Sequence, residues 1–144
     1  MLVIGCDRAG YQLKLDMMQV LDDMGEKYID IGCNGETCDY PDIAETACEK
    51  IIGGECDKGI LICGTGIGIS MAANKVKGIR AAVCHNEYTS EFTRLHNDAN
   101  VLCMGGRVIG SGVAEGIVRK FLTTEFEGGR HAARVEKIMD IENK

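Results

Sequence analysis

The sequence lacks the features that would suggest a nucleic-acid or membrane partner. No stretch is rich in lysine and arginine, and the formal net charge is -6. This charge argues against non-specific binding to nucleic acid or to anionic membranes. No apolar run approaches the length of a membrane span. The first six residues have neither the basic head nor the long apolar stretch of a signal peptide, so we expect a cytoplasmic location.

The cysteines and histidines also do not have the spacing of a metal site. Eight cysteines are present, but the nearest pair, Cys33 and Cys38, has no second cysteine or histidine pair to complete a zinc set. Most cysteines lie inside apolar runs, as Cys6, Cys63 and Cys103 do. A chain with its own core and no export signal usually keeps such thiols reduced. We therefore expect no metal site and reduced cysteines that mostly act as small core residues.

Short apolar runs alternate with helical patterns along the whole chain, and the single proline, Pro41, opens one of the helices. Strands are predicted at residues 2–6, 28–31, 59–63, 79–84 and 101–104, and helices at 13–24, 41–52, 69–76, 87–95, 113–122 and 131–141. Uninterrupted apolar strands between helices are typical of a parallel sheet covered on both faces. This predicts one α/β domain, residues 1–144, with a three-layer α/β/α, Rossmann-like architecture, a five-stranded parallel sheet and a C-terminal helix.

The carboxyl ends of the strands indicate where a ligand would bind. In open parallel sheets, ligands bind in the crevice beyond these ends. This rule selects five segments as the rim of the site: residues 6–8, 33–40, 63–68, 85–86 and 105–107.

The most informative segment, Cys63-Gly64-Thr65-Gly66-Ile67-Gly68, joins a predicted strand to a predicted helix. Its glycines allow a tight turn whose amides suit an anion, either phosphate or an enolate. A thiol at the start of a helix also has its thiolate form favoured. A buried cysteine before a structural turn is an equally good reading of position alone. The spacing fits neither a dinucleotide fingerprint nor a P-loop, and no arginine follows Cys63 as it would in a cysteine phosphatase.

Two further segments carry polar side chains suited to binding a hydroxyl or a phosphate. His96 and Asn97 precede the fifth strand and could donate a proton and bind a hydroxyl, although an ordinary helix C-cap explains them equally well. Arg130 and Arg134 lie four residues apart, on one helix face, where they could hold a phosphate; a solvated basic face is the simpler alternative. Arg107 is a further candidate, and His85 and His131 have weaker cases, since either could be a surface residue.

Together these segments resemble the ribose-5-phosphate isomerase type B family along nearly the whole chain. The matching stretches are residues 5–7 (GCD), 9–10 (AG), 39–41 (DYP), 62–68 (ICGTGIG), 72–75 (AANK), 78–81 (GIRA), 96–100 (HNDAN) and 127–131 (EGGRH). The resemblance implies interconversion of ribose 5-phosphate and ribulose 5-phosphate through an enediolate, without metal or organic cofactor. It also implies a homodimer, sometimes paired into a tetramer, whose sites take residues from both subunits.

The resemblance also assigns roles to individual residues. Cys63 is expected to be the base, oriented by Thr65, and His96 to open the furanose ring. The amides of Gly64, Gly66, Ile67 and Gly68 are expected to hold the enediolate oxygen. The expected sugar contacts are Asp7, Tyr40 and Asn97, and the expected phosphate contacts are Arg107, Arg130 and Arg134.

One position departs from the family pattern. Members commonly have histidine after the aspartate of the first strand, whereas this chain has Arg8. We expect Arg8 to bind phosphate; a contact with the sugar would instead shift the preference, for example towards allose 6-phosphate or galactose 6-phosphate. An isomerase acting on one of these six-carbon phosphosugars, or on an unphosphorylated rare sugar, is the alternative within the same class. Galactose-6-phosphate isomerases typically combine unlike subunits, but Cys63, Thr65 and His96 all lie in this one chain. A non-catalytic phosphosugar- or nucleotide-binding module is the alternative from another functional class.

Overall fold

Five strands and six helices alternate along the chain in the computed structural model, which describes residues 1–144. The strands are β1 (Leu2–Cys6), β2 (Tyr28–Asp30), β3 (Lys58–Cys63), β4 (Ala81–Val83) and β5 (Val101–Gly105). The helices are α1 (Tyr11–Met24), α2 (Tyr40–Ile52), α3 (Ile67–Ala73), α4 (Glu87–Asn97), α5 (Ser111–Thr123) and α6 (Arg130–Asp140). Single turns of 3-10 helix follow β1 and α6, at Arg8–Gly10 and Ile141–Asn143. No helix combines the length and the apolarity that crossing a membrane requires.

All strand pairs are parallel, in the order β2-β1-β3-β5-β4. The chain runs outward from β1 to β2 and then returns to place β3 on the other side of β1. Ligands in open α/β sheets bind at such a reversal. The register aligns Cys6 with Ile62 and Cys63 with Gly105. The loops that leave β1, β3 and β5 therefore start side by side at one edge of the sheet.

Buried apolar side chains cover both faces of the sheet. In β3, Ile60 and Ile62 belong to a core cluster with residues of α1 and α5. Leu61 and Cys63 point to the other face and belong to a second cluster with residues of α2 and α3. This alternation follows from the two-residue period of a strand. The predicted three-layer α/β/α architecture is confirmed.

The predicted boundaries differ most around α3 and β4. The helix predicted at 69–76 spans Ile67–Ala73, and the strand predicted at 79–84 spans only Ala81–Val83. Asn74 accounts for part of the difference, because its side-chain amide exchanges hydrogen bonds of 2.8 and 2.9 Å with the backbone of Ala81. Strand β4 also lies at the edge of the sheet and pairs only with β5.

The expectation of reduced cysteines is right for six of the eight. These six are free and buried: Cys6, Cys48, Cys56, Cys63, Cys84 and Cys103. It is wrong for Cys33 and Cys38, which form a disulfide. The loop between β2 and α2 folds back on itself there and brings their Cα atoms to 6.2 Å, within the range that a disulfide spans.

Candidate active site

The loop after β3 places the sulfur of Cys63 among its own backbone amides. The Gly66 amide donates to Cys63 Sγ at 3.2 Å, and the Ile67 amide donates to Thr65 Oγ1 at 3.2 Å. Gly66 has a φ of 79°, and a Cβ there would lie 2.8 Å from the carbonyl carbon of Met104. Only glycine fits this turn, which explains why the loop takes this shape.

Three other amides of the loop have no partner within the chain. Those of Gly64, Thr65 and Gly68 donate no hydrogen bond, whereas the amides of Gly66 and Ile67 are used inside the loop. Gly64 and Gly68 are half-buried and Thr65 is exposed. Unpartnered amides that converge on one loop make a site for an anionic oxygen. Of the four amides expected to hold the enediolate oxygen, only those of Gly64 and Gly68 are therefore available, and the amide of Thr65 joins them.

Cys63 differs from the other buried cysteines in its position. Cys6, Cys48 and Cys103 are completely buried, and burial raises the pKa of the Cys6 thiol to about 11 and that of Cys48 to about 12. Cys63 retains 4% exposure and is the only one of these whose sulfur accepts from a glycine-loop amide. Its sulfur therefore borders the loop whose free amides could hold an anion.

Side chains from three other segments surround this loop. The ring of Tyr40, at the start of α2, lies so close to Gly68 that a Cβ there would be 2.7 Å from it. Arg107 donates its amide to Gly64 O at 3.0 Å, and its side chain runs alongside Gly64. Asp7 accepts from the Gly10 amide at 3.1 Å.

Arg8 and Arg107 are exposed and form no ion pair within the chain. Two unpaired guanidiniums on segments next to the glycine loop could bind an anionic group of a ligand.

The remaining predicted site residues lie elsewhere. His96 and Asn97 are in the last turn of α4, and Arg130 and Arg134 are exposed residues in the first turns of α6. Asn100, three residues after Asn97, donates its amide to Arg80 O at the amino-terminal edge of the sheet. Cys63 pairs with Gly105 at the other end of β5, four residues beyond Val101. At about 3.3 Å per residue, the two levels are separated by about 13 Å along the strands.

The sequence analysis did not identify the side chains that hold the turn after His96 and Asn97. The Arg80 guanidinium donates to Asn97 O and Asp98 O at 2.7 to 3.1 Å. Arg94 is buried and donates to Asp98 Oδ1 and Ala99 O at 2.8 Å each. These bonds hold the turn after His96 rigidly, with Asp98 in the left-handed region at a φ of 48°. The arginines are scattered in sequence, so no local pattern predicted this role.

Of the two histidines with weaker cases, His131 is not a surface residue. Its ring is buried and stacks on His96, with 4.0 Å between the centroids and 12° between the planes. Phe92 contacts the His96 ring edge-on, at 5.1 Å. Helix α6 packs against α4 and places His131 between the two helices, a long-range contact that the sequence around His131 does not indicate. His85 is half-buried, and its Nε2 accepts from the Gly105 amide at 3.1 Å.

Two open grooves lie along the edge strand β4, away from Cys63. The larger, of about 620 Å³, is lined by residues that include Lys77, Arg80, Asn97 and Ile138. The smaller, of about 320 Å³, is lined by residues that include Tyr88, Phe92, His96 and Asn97. Volume alone would therefore select the surface around Asn97, whereas the unpartnered amides and the thiol select the loop after β3. Each of the two surfaces holds only half of the predicted side chains.

Comparison with known proteins, first by sequence and then by fold, identifies one family. Residues 2–138 match the family model described as Ribose/Galactose Isomerase. Ribose-5-phosphate isomerase B of Escherichia coli is 47% identical over 99% of this chain and 97% of its own length. D-erythrulose-4-phosphate isomerase 2 of Mycolicibacterium smegmatis is 43% identical over 97% of this chain and 93% of its own length.

Solved structures agree with this assignment. Ribose-5-phosphate isomerase B of Clostridium thermocellum superposes with a TM-score of 0.96 at 52% identity, covering 99% of this chain and 97% of that one. The ribose-5-phosphate isomerase B of Mycoplasma genitalium, solved with bound ribulose-5-phosphate, gives a TM-score of 0.93 at 40% identity, covering 99% of this chain and 96% of that one.

Proposed function

Because the chain belongs to the ribose/galactose isomerase family and is an isomerase, we propose that it interconverts D-ribose 5-phosphate and D-ribulose 5-phosphate. Cys63 is the base in this proposal, and His96 opens the sugar ring. The observation that carries the proposal is the set of unpartnered amides of Gly64, Thr65 and Gly68 beside a sulfur that already accepts a hydrogen bond.

Ring opening comes first. His96 gives a proton to the ring oxygen, O4, as the C1–O4 bond breaks, and the C1 hydroxyl releases its proton to water. The product is the open-chain aldehyde with a free O4 hydroxyl. A protonated imidazole suits this task because its charge state changes near neutral pH.

Proton transfer between carbons follows. The Cys63 thiolate removes the hydrogen on C2 as a proton, and the electron pair moves onto O1 to give an enediolate. The O2 hydroxyl proton passes to O1, the thiol returns its proton to C1, and C2 becomes the ketone. One well-placed donor to such an oxyanion is worth about 3 kcal/mol, so the loop amides lower this barrier more than the choice of base does.

The separation of the two sets of residues supports a site completed by a second copy of the chain. Within one chain, His96 lies at the opposite end of the strands from Cys63. Both sets are bordered by exposed apolar side chains: Ile67 and Met71 are 50% and 64% exposed beside the glycine loop, and Tyr88 is 68% exposed on α4. Exposed apolar residues next to polar site residues favour a protein interface. The proposed assembly is a homodimer, alone or paired into a tetramer.

A chelator-treated sample tests the isomerase proposal. The purified protein should convert ribose 5-phosphate to ribulose 5-phosphate in EDTA, and Cys63→Ala should lower kcat by about 100-fold or more, because the base is lost. The matched control is Cys56→Ala, since Cys56 is an equally buried cysteine near the other end of β3. Binding of the sugar phosphate without turnover in the wild type would instead favour a binding module.

A second candidate is the isomerisation of another phosphosugar at the same site. The relative named D-erythrulose-4-phosphate isomerase 2 is 43% identical over nearly the whole chain, and Arg8 departs from the family pattern beside the loop. A panel of four-, five- and six-carbon sugar phosphates, compared by kcat/KM, distinguishes the candidates. The highest kcat/KM for a substrate other than ribose 5-phosphate would replace the primary proposal.

A further inference from the structure

The His96 ring is held between two aromatic neighbours from different helices. Phe92 meets it edge-on one turn earlier in α4, and His131 of α6 stacks on it at 4.0 Å and 12°. Stacked and edge-on rings each stabilise a fixed orientation. His96 is nevertheless 36% exposed at its side chain, so it stays open to a ligand.

His131 has an unusual environment for a buried histidine. Its side chain is 8% exposed, and its Nε2 is the one buried side-chain nitrogen or oxygen in the chain without a hydrogen-bond partner. Leaving a buried polar atom unpaired costs about 1–3 kcal/mol. A ring kept in place at this cost indicates that its position beside His96 matters.

The carboxylate of Glu127 faces both rings. Its two oxygens lie 3.9 Å from His96 Nε2 and 3.9 Å from His131 Nε2. Its amide donates to Leu95 O at 3.1 Å, which ties Glu127 to the residue before His96. Gly128 and Gly129, with φ of 71° and 55°, turn the chain sharply before α6. Glu127 is 55% exposed, so a movement of about 1 Å brings it to hydrogen-bond distance of either ring.

This cluster suits a proton better than a metal ion. His96, Glu127 and His131 each offer a ligand atom within 4.8 Å of the others. A metal ion bound through imidazole nitrogens lies in the plane of each ring. Two stacked rings only 12° from parallel offer no point near both nitrogens that lies in both planes.

We propose that Glu127 and His131 are positioning residues for ring opening. His131 fixes the plane of the His96 ring, and the Glu127 carboxylate stabilises the protonated form of His96. The proposal deepens the proposed function and rests on it, because it assigns no separate reaction to the cluster.

Electrostatics disfavour a proton on the buried ring. Burial lowers the pKa of His131, the neighbouring His96 and the guanidiniums of Arg130 and Arg134 lower it further, and Glu127 acts in the opposite direction. A neutral His131 can stack on a protonated His96 without charge repulsion. The proposal therefore assigns the proton used in ring opening to His96, the ring that is exposed to a ligand.

Three variants test the proposal: Glu127→Gln removes the charge, His131→Ala removes the stacking ring, and His131→Phe keeps a ring but no nitrogen. Two quantities are measured for each: kcat with ribose 5-phosphate, and the dissociation constant of an open-chain four-carbon hydroxamate phosphate that imitates the enediolate. The mimic has no ring to open, so its binding reports the rest of the site. Oligomeric mass is checked for every variant.

We expect Glu127→Gln and His131→Ala to lower kcat by about 10- to 100-fold, the range seen when a group that orients a catalytic side chain is lost. The mimic should bind all three variants within about twofold of wild type, and His131→Phe should recover most of the kcat that His131→Ala loses. Parallel losses of kcat and mimic binding would mean a structural role for the cluster and overturn the proposal. Unchanged kcat in Glu127→Gln, or a His131→Phe variant as slow as His131→Ala, would also overturn it. Absence of turnover or mimic binding in the wild type would count against the proposed function instead.

Discussion

Mixing two inactive variants should restore activity if each active site takes residues from two chains. Cys63→Ala removes the proposed base from the loop after β3, and His96→Asn removes the proposed acid from the end of α4. The two positions lie about 13 Å apart along the strands of one chain, so neither side chain can serve the other within a single copy. In a hybrid dimer, one site combines the intact Cys63 of one chain with the intact His96 of the other.

The expected recovery follows from counting sites. Each variant alone should keep no more than about 1% of the wild-type kcat, since loss of a general acid or base costs about 100-fold or more. Random pairing of equal amounts makes about half of the dimers hybrids, and each hybrid has one intact site out of two. The mixture should therefore reach about one quarter of wild-type activity. Hybrids purified through two different affinity tags should reach about one half.

The assay is the initial rate of ribulose 5-phosphate formation after co-expression, with hybrid content measured by native mass spectrometry. The control pairs Cys63→Ala with the double variant Cys63→Ala/His96→Asn, whose hybrids contain no intact site. Hybrids that form but show only the average of the two parental activities would refute the shared site.

Two further predictions concern Arg8, which follows β1, and Lys14, which lies in α1. Arg8→Ala should raise KM for ribose 5-phosphate by about 10-fold with less than a threefold change in kcat, because a charge-assisted bond to phosphate is lost. The KM of Arg8→Lys should lie between those of Arg8→Ala and the wild type. A collapse of kcat at unchanged KM would contradict the phosphate role. Lys14→Met should lower the free energy of unfolding by about 3 kcal/mol in urea titrations, because the fully buried Lys14 donates at 2.8 to 3.1 Å to Asp30, Cys33 O and Asn34. The control Lys50→Met removes an exposed pair with Glu55 and should change stability by less than about 1 kcal/mol; equal effects of the two variants would argue against the buried network.

Local patterns predicted the architecture but not the sheet order. Alternating apolar strands and helices gave the α/β/α layers because both faces of each central strand must be covered. The edge position and the short length of β4 depend on how segments far apart in the sequence pack together. The sequence of residues 79–84 contains several apolar side chains and resembles a central strand, yet Ala81, Ala82 and Val83 all remain partly exposed.

For the site, too, local sequence predicted the contiguous loop but not the features that depend on long-range packing. The cysteine and its glycine loop are contiguous, so spacing alone indicated an anion-binding turn, and the structure adds that the amides of Gly66 and Ile67 are already used. The burial of His131 could not be predicted, because it depends on α6 packing across the end of α4. The disulfide between Cys33 and Cys38 was also missed, since redox compartment was the argument used and local loop geometry was not visible.

The Cys63 loop and the turn after His96 are each held rigidly, but by separate sets of hydrogen bonds. The loop around Cys63 is fixed by bonds from Gly106 and Arg107 to Cys63 O and Gly64 O, at 2.8 and 3.0 Å. The turn after His96 is fixed separately by Arg80 and Arg94. Neither network includes a residue of the other half, so within one chain nothing aligns the proposed acid with the proposed base. Catalytic geometry must be held to within a fraction of an ångström. In the proposed dimer that alignment depends on the contact between copies, and apolar residues such as Ile67 and Tyr88 would govern turnover without touching the substrate's reacting atoms.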